Sequence, residues 1–273
     1  MMKKILLILP LLLYWSCEDV SPTAVDLTFK VIEKNIIPEW TQNDDDIKIG
    51  GVVITFDDRS ISKWFSADSL LSKYGWKATF CVSRINRLTA EEIQILRILQ
   101  NKGHEISGHG LNHYNAVKYV SKNGLDSYLN QEIIPMIEIM QNESLIVNSF
   151  AYPYGSRNSE IDDALFDYFQ ILRGTTYDNI LPLNHNCFFN NSTLVYGIGI
   201  DSSYEHFSEN YILKLMDYAK TKNKILILYA HEPVDIITSN SQTKFSTLEL
   251  ICDNIRENNM NFYTLSDLIA LLK

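Results

Sequence analysis

Cysteine is scarce in this 273-residue chain, with four residues and no Cys-x-x-Cys pair. That excludes a disulfide-packed mini-protein and turns attention away from cysteine chemistry. Basic residues are also outnumbered, with 24 Lys and Arg against 33 Asp and Glu for a formal charge of −9, and they never form a run. The electrostatic footprint of a nucleic-acid binder is therefore missing. No internal repeat occurs, and no apolar run approaches the roughly 20 residues needed to span a bilayer. What is present is 46% hydrophobic, 11% aromatic and 21% charged. Such a composition excludes a disordered or collagen-like chain and is ample for a buried core. The length suits one α/β barrel as well as two small domains.

The first 16 residues read as an export signal. Met1-Met2-Lys3-Lys4 is a short basic start, and Ile5 to Leu13 is an apolar run broken only by Pro10. This is the size of a secretory h-region. Ser16-Cys17 follows directly, and the pattern resembles a bacterial lipoprotein signal. It implies cleavage before Cys17 and acylation of its thiol; an ordinary signal peptide with an incidental cysteine is the other reading. Acyl chains bind bilayers by about 0.8 kcal/mol per buried methylene, so several would anchor the chain stably. The expected location is an outer membrane, on its periplasmic or surface face, with membrane contact through the lipid alone. Residues 17–49 contain Ser21-Pro22-Thr23 and Asn43-Asp44-Asp45-Asp46 and read as a polar tether. Cys81, Cys187 and Cys252 remain. Their odd number leaves at least one unpaired, and Cys81 sits in a strand pattern as a small buried hydrophobe.

From Gly50 onward, apolar strand-like runs alternate with helical patterns. Strands are expected at Val52–Phe56, Lys77–Val82, Gly103–Ser107, Leu145–Tyr152, Ile171–Arg173, Leu194–Ile200, Lys224–Ala230 and Asn261–Thr264. Helices are expected over Ser60–Tyr74, Thr89–Lys102, Gly124–Gln141, Ser159–Phe169, Ser208–Lys222 and Ser246–Asn258, with a closing helix from Ser266. Thr89 and Glu92 form a capping box, and Ser159 and Glu160 open their helix. Seven or so β-then-α units with apolar strands predict an α/β fold: an irregular parallel (β/α) barrel of about seven strands, a single domain over residues 50–273. Chemistry in such barrels gathers where strands end.

Four strand ends carry candidate chemistry. Thr55-Phe56-Asp57-Asp58 closes an apolar strand with two carboxylates, which repel unless a cation lies beside them. His109-Gly110-Leu111-Asn112-His113 spaces two imidazoles i, i+4, which on a helical turn puts both on one face, within reach of one metal ion. Phe150-Ala151-Tyr152-Pro153-Tyr154-Gly155 and Leu228-Tyr229-Ala230-His231 end two further strands. Each alone is also compatible with a simple turn or a structural histidine.

Taken in order, these motifs resemble the polysaccharide deacetylase family, carbohydrate esterase family four, from about Gly50 to the C-terminus. The resemblance implies that Asp58, His109 and His113 bind a divalent metal, zinc by default with Co2+, Ni2+ or Mn2+ as alternatives. It implies Asp57 as general base, His231 as general acid, and the backbone N–H of Tyr154 as an oxyanion donor, with Asp201 and Pro153 in support. The implied activity is removal of acetyl groups from an N-acetylhexosamine-containing polysaccharide or oligosaccharide outside the cytoplasm. An O-acetyl glycan esterase and a non-catalytic glycan-binding lipoprotein are the alternatives. Four positions depart from the family pattern. Gly110 replaces a hydroxyl residue that braces the loop, and Ala151 stands where an arginine often orients the base. Arg59 follows the Asp pair in place of glycine, and no tryptophan marks the fourth motif.

Overall fold

The computed structural model describes residues 50–273. The expected export signal, Cys17 and the tether over residues 17–49 lie outside the described residues. Strand β1 (Gly51–Asp58) is followed by β2 (Thr79–Val82), β3 (Glu105–Gly108), β4 (Ser149–Ala151), β5 (Ile171–Thr176), β6 (Leu194–Gly199) and β7 (Ile225–Ala230). Each pairs in parallel with the next, and β7 pairs back onto β1 from Gly51 to Phe56, which closes a seven-stranded barrel. The expected (β/α) barrel is thus the observed fold.

Helices α1 (Ile61–Leu71), α2 (Ala90–Asn101), α3 (Ala116–Asn123), α4 (Leu125–Tyr128), α5 (Ile134–Asn142), α6 (Ser159–Leu165), α7 (Glu209–Thr221) and α8 (Phe245–Glu257) fill the crossovers. A small two-stranded sheet, β8 (Glu232–Val234) with β9 (Gln242–Lys244), follows β7, and β10 (Asn261–Tyr263) flanks the first half of β1. None of the described helices is long and apolar enough to cross a membrane.

Both strand faces are buried, which explains their unbroken apolar runs. On β1, Val52, Ile54 and Phe56 join the large core shared with the helices. Val53 joins Ile171, Val195, Ile225 and Ile227 in a second, smaller cluster together with Leu265 and Leu268. The latter two belong to the chain's last turns, around the 3-10 helix Ser266–Leu271. There the Leu265 amide donates to Thr79 Oγ1 (3.0 Å) and the Ser266 amide to Glu105 Oε2 (3.0 Å), closing the floor beneath β2 and β3. Side chains alternate across a strand, so the residues sharing the parity of Val53 and Ile171 point into the barrel.

Local signals act as the sequence leads one to expect at α2: Thr89 caps it, and Glu92 reaches back to complete the box. Elsewhere three expectations are corrected. The continuous helix expected over Gly124–Gln141 is α4, a π-helical turn at Leu129–Ile133 and α5, preceded by α3. Helix α6 is opened by the Asn158 side chain, which accepts from the Ile161 amide, because Ser159 already lies within the first turn. The expected strand at Leu145–Tyr152 shrinks to the three residues of β4.

Candidate active site

The parity of β1 carries Val53, Thr55 and Asp57 inward, so Asp57 rises above the apolar filling towards the C-terminal mouth. On β5 the same argument sends Ile171 and Arg173 inward. The two meet: the guanidinium Nη2 of Arg173 donates to Asp57 Oδ1, with both side chains buried. Burial alone would push the Asp57 carboxyl up, but Arg173 foremost, then His109 and His231, hold it below the ordinary range. Arg173 stands one strand over from Ala151, the position where the resemblance implied an arginine, since the two are register partners between β4 and β5. The Arg173 guanidinium also lies 5.1 Å from the centre of the Tyr229 ring.

Asp58 ends β1 in the left-handed region (φ 80°), a conformation Asp tolerates better than most residues. The expected helical turn over His109–His113 is not formed. It is an irregular loop, with Gly110 at φ 83° and His113 at φ 64°. The imidazoles nonetheless converge, their ring centres 4.9 Å apart. His113 Nε2 lies 3.0 Å and His109 Nε2 3.7 Å from Asp58 Oδ1. His109 Nδ1 is 2.8 Å from the Ala151 carbonyl, which fixes the tautomer with the lone pair on Nε2. Burial pushes the His109 pKa down to about 4, so the ring is neutral at ordinary pH.

After β4, the segment Pro153–Gly155 forms a 3-10 turn with Tyr154 at φ 61°. Pro153 is buried, Tyr154 is 62% exposed, and its ring centre sits 4.8 Å from that of His113. The hydroxyl of Ser156 donates to Asn115 Oδ1 (2.7 Å), and Asn115 in turn caps α3, tying this turn to the end of the histidine loop. On the far side, His231 directly follows β7 with its Nδ1 2.5 Å from Asp201 Oδ2, just beyond β6. Asp201 also accepts from the His231 amide (3.2 Å) and Thr243 Oγ1 (2.7 Å). Burial disfavours a charged His231, but the Asp201 hydrogen bond and the carboxylates of Asp57, Asp201 and Asp58 outweigh it, raising the pKa to about 9. The Trp64 indole N–H donates to the His231 carbonyl (2.8 Å) and braces the strand end from α1.

All the sequence candidates from Asp57 to His231 therefore gather at one mouth. Asp58, His109 and His113 each offer a ligand atom, all within 4.8 Å of one another. Asp58 Oδ1 is buried without a hydrogen-bond partner. An orphaned carboxylate oxygen facing two imidazole nitrogens is a donor set that fits a divalent cation. Cys81, Cys187 and Cys252 are free and buried. Asp201 pairs with His231 as expected, whereas Arg173 belongs to none of the four motifs. The signal for Arg173 was a lone arginine inside an apolar strand.

The site is thus the carboxylate- and histidine-lined mouth of a closed parallel barrel, the class of architecture whose active sites lie at strand ends. Residues 45–168 match the family model described as polysaccharide deacetylase. No curated protein matches the sequence. Among solved structures, the peptidoglycan deacetylase PdaC from Bacillus subtilis is similar with a TM-score of 0.52 and 16% identity, over 81% of this chain and 91% of that one. The catalytic domain of peptidoglycan N-acetylglucosamine deacetylase from Eubacterium rectale gives 0.50 and 16%, over 79% and 88%. At these identities the likeness establishes a shared fold.

Proposed function

We propose that the chain is a metal-dependent polysaccharide deacetylase that hydrolyses the N-acetyl amide of an N-acetylhexosamine-containing glycan. The observation that carries this reading is the convergence of three features at one mouth: the Asp58–His109–His113 trio, the Asp57–Arg173 pair and the His231–Asp201 pair. The match of residues 45–168 to the polysaccharide deacetylase model supports it.

In this reading Asp58, His109 and His113 hold the cation, zinc being favoured by the two nitrogen donors. When bound, the cation lowers the pKa of a water and polarises the acyl carbonyl. Asp57, kept ionised by Arg173, accepts the proton of the attacking water. The Tyr154 N–H donates to the carbonyl oxygen as negative charge grows on it. His231, held protonated by Asp201, hands its proton to the departing nitrogen as the C–N bond breaks. Acetate and a free amino sugar result. An amide nitrogen leaves only when protonated, and the Asp201 hydrogen bond that favours the charged form of His231 suits this bond.

The basic start, apolar run and Cys17 support export and a lipid anchor on Cys17. Mass measurement of the mature N-terminal peptide tests this; an unmodified Cys17 would exclude it. The activity itself is tested by acetate release from N-acetylated and O-acetylated oligosaccharides. Asp58→Ala and His113→Ala should abolish both release and metal binding. Faster release from O-acetyl substrates would reassign the bond, and saturable glycan binding without release would make the chain a binding protein.

A further inference from the structure

The loop that presents His113 has no ladder of its own to hold its shape, with left-handed residues at Gly110 and His113. Its amides are held instead by two consecutive residues 19 and 18 positions downstream of the second histidine. The Glu132 carboxylate accepts from the amides of Asn112 (2.8 Å) and Tyr114 (2.9 Å), the two that flank His113. The Glu132 carbonyl accepts the Leu111 amide (3.1 Å), and the Gln131 carbonyl accepts Asn112 Nδ2 (3.1 Å). Glu132 is wholly buried and lies on the π-helical turn Leu129–Ile133. Such turns widen a helix by one residue and re-aim its side chains. The neighbouring glycine fits the same account: a Cβ at Gly110 would lie 2.3 Å from Glu132 Oε1.

We infer that Glu132 is a positioning residue for the Asp58–His109–His113 centre. Its carboxylate fixes the backbone on both sides of His113, so that Nε2 faces Asp58 before any cation arrives, and Gly110 is the clearance this carboxylate needs. The inference rests on reading that trio as a cation site.

The test is the zinc dissociation constant of the purified protein, measured by competition with a chromophoric chelator, beside thermal unfolding of the metal-free form. Removal of a group that orients a metal ligand costs about 10- to 100-fold in metal affinity. Glu132→Ala should weaken zinc binding by about that factor, and Glu132→Gln, which keeps one acceptor oxygen, by less. Gly110→Ala should also weaken it, and by a smaller factor in the Glu132→Ala background, where the carboxylate is gone and only the φ strain remains. Either variant suffices if the other fails to fold. Zinc affinity within twofold of wild type in the folded Glu132→Ala protein would overturn the positioning role, as would strict additivity of the two substitutions. Wild-type protein that binds no zinc would instead remove the cation-site reading, and the positioning role with it.

Discussion

The Asp57 side and the His231 side of the mouth are built to opposite specifications. Asp57 and Arg173 are both buried and locked against each other, so the carboxyl ionises below the ordinary carboxylate range. His231 and Asp201 form a hydrogen-bonded pair in which only the aspartate is fully enclosed, and the histidine side chain keeps 17% of its surface exposed. One Nδ1 contact holds the ring, leaving Nε2 as its other proton-bearing atom. In the proposed mechanism, the charge that must persist is the sealed one and the proton that must move is the one left within reach.

The sharpest way to break this contrast is Arg173→Ala. It strands Asp57 as a buried unpaired charge, a change that typically costs about 3–5 kcal/mol. Denaturant unfolding should register that loss, and a drop below about 1 kcal/mol would mean the base is not held this way. Asp201→Asn acts on the other side. With the charge gone, the His231 pKa falls, so the alkaline limb of the pH–rate profile should move to lower pH. The rate at its optimum should drop on the order of 100-fold, within the range general acid catalysis supplies. An unshifted limb would detach Asp201 from the acid.

A subtler contrast appears in the metal-free protein's stability. His231 has its folded pKa raised from 6.5 to about 9. Its contribution is complete below pH 6.5 and is lost as pH rises towards 9. Asp57, with a depressed pKa, contributes above its ordinary value of 3.8 and loses that only on acidification. Unfolding free energies at pH 6 and pH 9 in wild type and His231→Gln should show a larger fall across that interval in wild type than in the variant. The smallest effect calibrates the rest: Thr89→Ala, which removes the α2 cap, should cost about 1 kcal/mol and leave the pH–rate profile untouched.

Residues whose chemistry sits at a strand end were readable from the chain, because an apolar run followed by Asp57-Asp58 or His231 announces both the strand and its end. Asp201 was read the same way, although its contact with His231 depends on β6 and β7 being neighbours. Arg173 was not. Its role depends on which face of β5 turns inward and on the register that sets it level with Ala151, and neither is a local property. Glu132 was hidden further still, since a π-helical turn changes which residues of a helix face inward. The i, i+4 histidine spacing led to the right pair for the wrong reason: the rings meet through a left-handed loop and not along a helical turn.

The pairing of β1 with β7 has a consequence in time. The strand carrying Asp57 and Asp58 is the first of the barrel to leave the ribosome, yet its partner begins 174 residues later, at Ile225 opposite Gly51. Contacts at such sequence separation form late and slowly. The carboxylates must wait for almost the whole chain before the ring can shut around them, so a half-made chain carries Asp58, His109 and His113 without the closed mouth that surrounds them.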